Sequence, residues 1–476
     1  MKILYVSSEC RPFIKTGGLG DVAGSLPQKI KEIGEDIRVV LPLYSSIEKQ
    51  YKDKMKFIKD IKVQLSWRSA YCGIFELEYE NITYYFIDNE QYFKRNNIYG
   101  EYDDGERFAF FSKACLDILP NIDFLPDVIN CNDWQTGLVP VYLKLNFYNN
   151  DFYRNIKTVF TIHNIAYQGI YNRDILENVF DINSFHFYNG TVENDGLINI
   201  MKAAIVLSDK VMTVSETYAQ EIKTDYYGEG LNHILNIHAD KLVGILNGID
   251  FDYFNPETDE HIFKKYSVKT LENKAQNKKG LLKLCGLDSK KDVPVIGIIS
   301  RLVSHKGLDL IEAVINEIAS SDVKIIILGQ GEWKYENMFI NLEKEYPSKV
   351  STHIAFSDDL AKKMYAGCDM LLMPSKSEPC GIAQMIAMRY GTVPIVRETG
   401  GLYDTVKPLI KENNTGNGFT FKNYNAHDML HVIREACYIY TNEKDTWKDL
   451  MERCMTCDNS WNASAQKYLD IYKSLL

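Results

Sequence analysis

The chain has 476 residues, more than one hydrophobic core comfortably serves, so two domains are the expectation. Its 54 Lys and Arg residues are outnumbered by 64 Asp and Glu, for a net charge of −10. That balance argues against nucleic acid or an anionic membrane as the main partner, and it makes any cationic site a local arrangement. The ten cysteines are scattered rather than framed, the opening segment reads as a strand and not a cleavable leader, and no eighteen-residue apolar run occurs. A cytoplasmic protein with reduced thiols is expected. Cys454 and Cys457 have metal or redox spacing, but no second Cys or His pair accompanies them.

In chain order, Ile3–Ser7 predicts a first strand and Lys15-Thr-Gly-Gly-Leu-Gly-Asp21 a glycine turn feeding a helix. Glycines there let backbone approach a ligand, and the N–H groups opening the helix suit phosphate or sugar oxygens. Ile37–Leu41, Asp127–Asn130, Thr158–Ile162 and Lys210–Val214 predict further strands. Between them, Phe57–Ile87 alternates in a way that predicts strands joined by tight turns, inserted at the sheet edge. Short β-rich runs separated by helix-length segments imply a parallel sheet covered on both faces.

The second half repeats the scheme with Val295–Ile299, Lys324–Leu328, Met370–Met373 and Val393–Val396. The fold class expected is therefore α/β, two Rossmann-like doubly wound domains facing a cleft. The boundaries expected are 1–245 for the first domain and 246–456 for the second, with 457–476 returning to the first as a helix. A second glycine loop, Thr399-Gly400-Gly401-Leu402, echoes the first. In doubly wound sheets ligands sit beyond the carboxyl ends of the strands, and Lys15, His163, Arg301, Glu378 and Thr399 all follow predicted strands.

Arg301 and Lys306 stand at one such strand-to-helix turn, where a guanidinium, an ammonium and a helix N-terminus suit a diphosphate. The plain alternative is a solvated basic turn. Glu378, ahead of Pro379, Cys380 and Gly381, reads as an acceptor for sugar hydroxyls or as a helix cap. On the first half, Asp133 beside Trp134 pairs a carboxylate with an aromatic face, and Tyr92, Arg95 and Tyr99 extend such a surface. His163 with Asn164 adds polar groups at a strand end, against the alternative of a packing histidine. Gly18 to Ala23 fits a loose dinucleotide fingerprint, but no acid follows the second strand to take a ribose. Asp250-Phe-Asp252 has metal-binding spacing without a supporting pattern, so no metal and no cofactor are predicted.

Jointly these motifs resemble the bacterial glycogen synthases and plant starch synthases, and the match runs nearly end to end. It is carried by Lys15 to Pro27, Tyr92 to Gly100, Asp104 to Phe108, Asp133 to Pro140 and Phe160 to Gly169. Asp209 to Ser215, Asn247 to Asp250, Ser300-Arg301 with Lys306-Gly307, Glu378 to Gly381 and Thr399 to Leu402 complete it. The resemblance implies a retaining glucosyltransferase with ADP-glucose as donor and glycogen or another α-1,4-glucan as acceptor. It implies that Lys15, Arg301 and Lys306 contact the donor diphosphate, that Glu378 holds glucose hydroxyls, and that His163 joins them as a catalytic group. Gly18, Asn247, Cys380, Gly381, Thr399, Gly400 and Gly401 then belong to the donor side, and Asp21, Tyr92, Asp133, Trp134 and Asn164 to the glucose and acceptor side. Domain closure is the gate it implies. Two departures stand out: Asn130 and Asn132 occupy positions where many relatives carry His, and Ile386 stands where related transferases have a second glutamate. A UDP-glucose-dependent sibling and a non-catalytic glucan-binding scaffold are the rival readings.

Overall fold

Runs such as Ile3-Leu4-Tyr5-Val6 and Ile325-Ile326-Ile327-Leu328 are at most 3 % exposed along their whole length, which only a strand covered on both faces allows. A computed structural model describes all residues, 1–476. Contacts divide the chain into one unit of Met1–Gly248 with Trp461–Leu476 and a second of Ile249–Ser460. These limits lie a few residues later than the expected ones.

The first unit is built on a nine-stranded sheet. Its strands are β1 (Lys2–Val6), β2 (Asp36–Pro42), β3 (Lys56–Leu65), β4 (Arg68–Tyr79), β5 (Ile82–Asp88), β6 (Val128–Asn132) and β7 (Lys157–Ile162). A small separate sheet holds β8 (Ile170–Tyr171), β9 (Glu193–Asn194) and β10 (Leu197–Asn199), after which β11 (Lys210–Thr213) and β12 (Leu242–Gly244) return to the main one. The order is β12-β11-β7-β6-β1-β2-β5-β4-β3. Strand β1 pairs in parallel with both β2 and β6, so the winding reverses beside it and the loops after β1 and β6 open a crevice.

The insertion expected at Phe57–Ile87 needs correction. The three strands are joined by tight turns as expected, but only β3 and β4 make up the antiparallel edge; β5, antiparallel to β4, runs parallel to β2 and belongs to the sheet proper. Its Tyr84, Tyr85, Phe86 and Ile87 are buried on both faces, a demand that an edge position does not meet. The C-terminal helix, Trp461–Lys473, packs on the helix Gly18–Glu32 and buries Trp461, Tyr468, Leu469 and Tyr472.

The second unit holds β13 (Val295–Ile299), β14 (Lys324–Leu328), β15 (Val350–His353), β16 (Met370–Met373), β17 (Val393–Arg397) and β18 (Phe419–Phe421), all parallel, in the order β15-β14-β13-β16-β17-β18. Its winding reverses between β13 and β16, which puts the loops carrying Arg301 and Glu378 side by side. Beneath them Leu281, Val295, Ile326, Leu328, Met364 and Cys368 form a buried cluster. Each aliphatic side chain so buried contributes about 1.5–3 kcal/mol. No helix is long and apolar enough to cross a membrane. All ten cysteines are unpaired; the Cys454 thiol is spent on the Asn417 carbonyl at 3.1 Å.

Candidate active site

In the second unit, the chain leaves β13, passes the exposed Arg301 and makes one tight turn, Ser304–Lys306, before the helix Leu308–Ser320. Gly307 is the hinge, at φ 74°, and a Cβ on it would lie 2.0 Å from the Pro374 carbonyl oxygen, so only glycine lets this turn lie against the end of β16. That proximity delivers Lys306 to Glu378: Nζ and Oε2 are 2.7 Å apart. Ser375 Oγ donates to the same oxygen at 2.9 Å. Burial by itself would raise the Glu378 pKa, but the Lys306 ammonium and the Ser375 hydroxyl prevail and hold the carboxyl below its usual range. Glu378 is therefore an anion with one oxygen committed to protein. It is no helix cap, because the following helix starts only at Ala383.

His305, between the two cations, is pushed down to about 4 by burial and then by Lys306 and Arg301, so it stays neutral and adds no charge. The turn thus offers a guanidinium and an ammonium against one carboxylate, net positive at the place where a helix begins.

The second glycine loop, which follows β17, locks onto the loop that carries Glu378. Thr399 precedes the helix Gly400–Thr405, the Gly401 N–H reaches the carbonyls of Glu378 and Pro379 at 3.2 Å, and Gly400 sits at φ 46°. Cys380 and Gly381 lie in the same loop, with Gly381 at φ 69°, and Gln384 Nε2 donates to both their carbonyls at 3.1 and 2.9 Å. Arg397, buried at the end of β17, donates from Nη1 to the carbonyls of Ser375 and Lys376 at 3.3 and 2.8 Å. Expected donor-side residues Arg301, Lys306, Glu378, Cys380, Gly381, Thr399, Gly400 and Gly401 thus come together at the reversal of one sheet. Ser375 and Arg397 join them although sequence reasoning assigned neither a role.

The first unit gathers its polar groups around β1, β6 and β7. Lys15 Nζ pairs with Asp21 Oδ1 at 3.0 Å across the loop that leads into Gly18–Glu32, with Gly18 exposed at the helix start. The loop is held from below by Glu9, which is 3 % exposed. Its Oε2 accepts from Thr16 Oγ1 at 3.0 Å and from the Thr16 and Gly17 N–H groups, and Oε1 accepts from Tyr99 at 3.3 Å. Burial raises the Glu9 pKa against those hydrogen bonds. Nothing in the local pattern marked Glu9 except its place, an acid shortly after a fully apolar strand.

Asp133 stands at φ 55° and ψ 178°, a conformation that costs a residue with a side chain on the order of 1–3 kcal/mol and that clusters at functional sites. Its Oδ1 accepts from the His163 N–H at 2.7 Å and the Asn164 N–H at 3.3 Å, which joins the ends of β6 and β7. Burial pushes its pKa up to about 7 despite those two bonds. Asn164 Oδ1 takes the Ala166 N–H at 3.0 Å, and Asn247, the expected residue near the end of this unit, is buried with no hydrogen bond to Oδ1.

Two expected acceptor-side aromatics are placed otherwise. Trp134 is 9 % exposed, edge-on to Phe108 with centroids 5.3 Å apart and pressed against Gly169, so its faces are spent on packing rather than offered to a sugar. Tyr92 is 3 % exposed, with its hydroxyl 2.6 Å from Glu106. Arg95 is tied to Asp103 at 2.6 Å. An aromatic next to a carboxylate in sequence does not reveal which way the ring turns, and here β6 continues into a turn that drives it inward.

The chain is similar to known proteins along most of its length. Residues 2–237 match the family model of the starch synthase catalytic domain, and residues 286–446 match glycosyl transferases group 1. The chain is 51 % identical to the glycogen synthase of Anoxybacillus flavithermus and 50 % identical to that of Clostridium perfringens, over 100 % of this chain and 98 % of each relative. Among solved structures, the catalytic domain of starch synthase IV from Arabidopsis thaliana, bound to ADP and acarbose, superposes with a TM-score of 0.93 at 32 % identity, covering 99 % of both chains. Sucrose-phosphate synthase from Thermosynechococcus elongatus, at 15 % identity and a TM-score of 0.63, covering 100 % of this chain and 98 % of its own, shares the fold. With the GT-B architecture, a cationic turn paired to Glu378 and full-length identity at this level, the chain belongs to the glycogen synthase family of glucosyltransferases.

Proposed function

We propose that the chain elongates an α-1,4-glucan by moving glucose from ADP-glucose to the 4-hydroxyl at the non-reducing end, with retention at the anomeric carbon. The observation that carries this reading is the Lys306–Glu378 pair at 2.7 Å beside Arg301. A cation destined for phosphate and a carboxylate destined for sugar hydroxyls stand next to each other, as the two halves of a nucleotide sugar require. ADP in the starch synthase IV structure supports the choice of nucleotide.

In this reading the bond from C1 to the diphosphate oxygen breaks, the bond from C1 to the acceptor oxygen forms on the same face, and the acceptor proton passes to the departing phosphate. Charge builds on the leaving diphosphate, so fixed cations at Arg301, Lys306 and Lys15 stabilise the transition state beyond the ground state. Glu378 orients glucose. Asp133, with the flanking His163 and Asn164, serves the glucose and acceptor side. The reaction as proposed draws on no metal and no cofactor, and its place is the cytoplasm, where nucleotide sugars are made.

Incorporation of labelled glucose into glycogen from ADP-glucose and from UDP-glucose tests the proposal directly. Transfer to polymer with ADP-glucose preferred is expected. Preference for UDP-glucose moves the chain to the sibling reading, and absence of transfer from either, with glycogen still bound, makes it a scaffold.

A further inference from the structure

We propose that Asn132 is a positioning residue that fixes His163 as the tautomer carrying its proton on Nε2, leaving Nδ1 as the ring's hydrogen-bond acceptor. The role in transfer rests on the function proposed above; the tautomer does not. Asn132 Nδ2 donates to the Val6 carbonyl at 2.8 Å, and the reverse orientation would set two carbonyl oxygens against each other. Its Oδ1 must then face the other way. There it meets the Tyr5 hydroxyl at 3.0 Å, Asn130 Nδ2 at 3.4 Å and His163 Nε2 at 2.9 Å. A carbonyl oxygen accepts and never donates, so the proton in the last contact belongs to the imidazole.

Asn130 is pinned in turn. Its Oδ1 accepts from Thr161 Oγ1 at 3.2 Å and from the Tyr472 hydroxyl of the C-terminal helix at 3.1 Å, which leaves its amino group turned to Asn132. Tyr5, Asn130, Asn132, Thr161 and Tyr472 are each no more than 1 % exposed, so turning either amide round strands a buried donor or acceptor where no water can take its place. Titratable neighbours leave the ring alone. Asp133 turns its bonded oxygen to the backbone N–H of His163, Glu9 is engaged by Thr16, Gly17 and Tyr99, and the Tyr218 hydroxyl takes the Ile165 N–H at 3.2 Å. Burial pushes the imidazole down to about 3, so it is neutral wherever the enzyme works. Asn130 and Asn132, two apart on β6, are thus the parts that set the state of the histidine that follows β7.

The test is nitrogen NMR of the chain with 15N-labelled histidine, the His163 signal being assigned by its loss in His163→Gln. The expected result is a protonated Nε2 and an unprotonated Nδ1, unchanged between about pH 5.5 and 9. A proton on Nδ1, or titration inside that range, overturns the proposal. In Asn132→Leu the tautomers mix and kcat falls at least about tenfold, with the donor KM moving less than about threefold. Asn132→Asp keeps the acceptor oxygen, so Nε2 stays protonated while the adjacent carboxylate raises the imidazole pKa and moves the acid limb of the pH–rate profile upward. An unchanged kcat in Asn132→Leu removes the positioning role; should that variant fail to fold, Asn132→Asp with its pH profile unmoved does the same. If the wild-type chain transfers no glucose at all, the proposed function fails, and the spectrum still decides the tautomer.

Discussion

The ammonium of Lys306 lies 2.7 Å from the Glu378 carboxylate and helps hold that carboxyl ionised before any substrate arrives. Replacing Lys306 by Ala removes the cation proposed for the diphosphate and leaves Glu378 buried without its ion-pair partner. A fall in kcat/KM of about a hundredfold to a thousandfold is expected. The wild-type carboxyl, held below its usual range, contributes stability that is present above the unfolded-state pKa and lost as pH falls through the folded one. Without Lys306, burial dominates and the pKa rises, so the acid limb of the pH–rate profile moves toward neutrality. A limb that stays in place means that Lys306 does not control Glu378.

Asp133 behaves in the opposite sense. Its folded pKa of about 7 lies above the value of 3.8 for a free side chain, so the native state binds more protons and stability falls as pH rises through that window. Asn in its place keeps an oxygen for the His163 and Asn164 N–H groups without the charge. The melting temperature of Asp133→Asn should match the wild type near pH 4 and exceed it by about 2 °C or more at pH 8, while transfer is lost. Melting curves at the two pH values check this; a constant difference would mean that the carboxylate is not strained by burial.

Gly400 has a positive φ of 46°, and a Cβ on it would stand 2.0 Å from the Glu378 carbonyl oxygen. Gly400→Ala must push that loop aside. A loss of about 1–3 kcal/mol in stability is expected, together with weaker ADP binding, because the displaced segment holds Lys306, the cation proposed for the diphosphate, through Glu378. Calorimetric titration with ADP measures the second effect, and unchanged affinity would separate this loop from the donor site.

Trp134 separates packing from recognition. Trp134→Phe retains an edge contact with Phe108 but loses volume beside Gly169, so about 1–2 kcal/mol of stability goes while the glycogen KM stays within about twofold. A large rise in that KM with stability intact would restore the ring to the acceptor surface.

The strands were legible because parallel strands buried on both faces leave continuous apolar runs: Lys324–Leu328 and Met370–Met373 appear where the residues predict them. The donor-side loops were legible because Gly, Pro and charged residues mark strand-to-helix turns at short range. Glu9, Asn132, Ser375 and Arg397 were harder, since their work is done by partners that only the fold supplies. Asn132 meets Val6 across two adjacent strands, and Arg397 meets the Ser375 carbonyl from the next strand over. One trace did exist: Asn130 and Asn132, two apart on a buried strand, fall on the same face, and two amides there need each other. Trp134 shows the converse error, a motif read for its chemistry when its orientation was set by the turn after β6.

The helix Trp461–Lys473 completes the core of the first unit although the whole of Ile249–Ser460 precedes it in the chain. On the ribosome, the unit begun first is finished second. Until that helix emerges, the apolar face of Gly18–Glu32 and the Asn130 amide wait uncovered, whereas the later-made unit is continuous in sequence and has all its strands in hand earlier. A nascent chain stalled within the second unit should therefore expose the first to proteases and chaperones, and order of synthesis and order of maturation run in opposite directions.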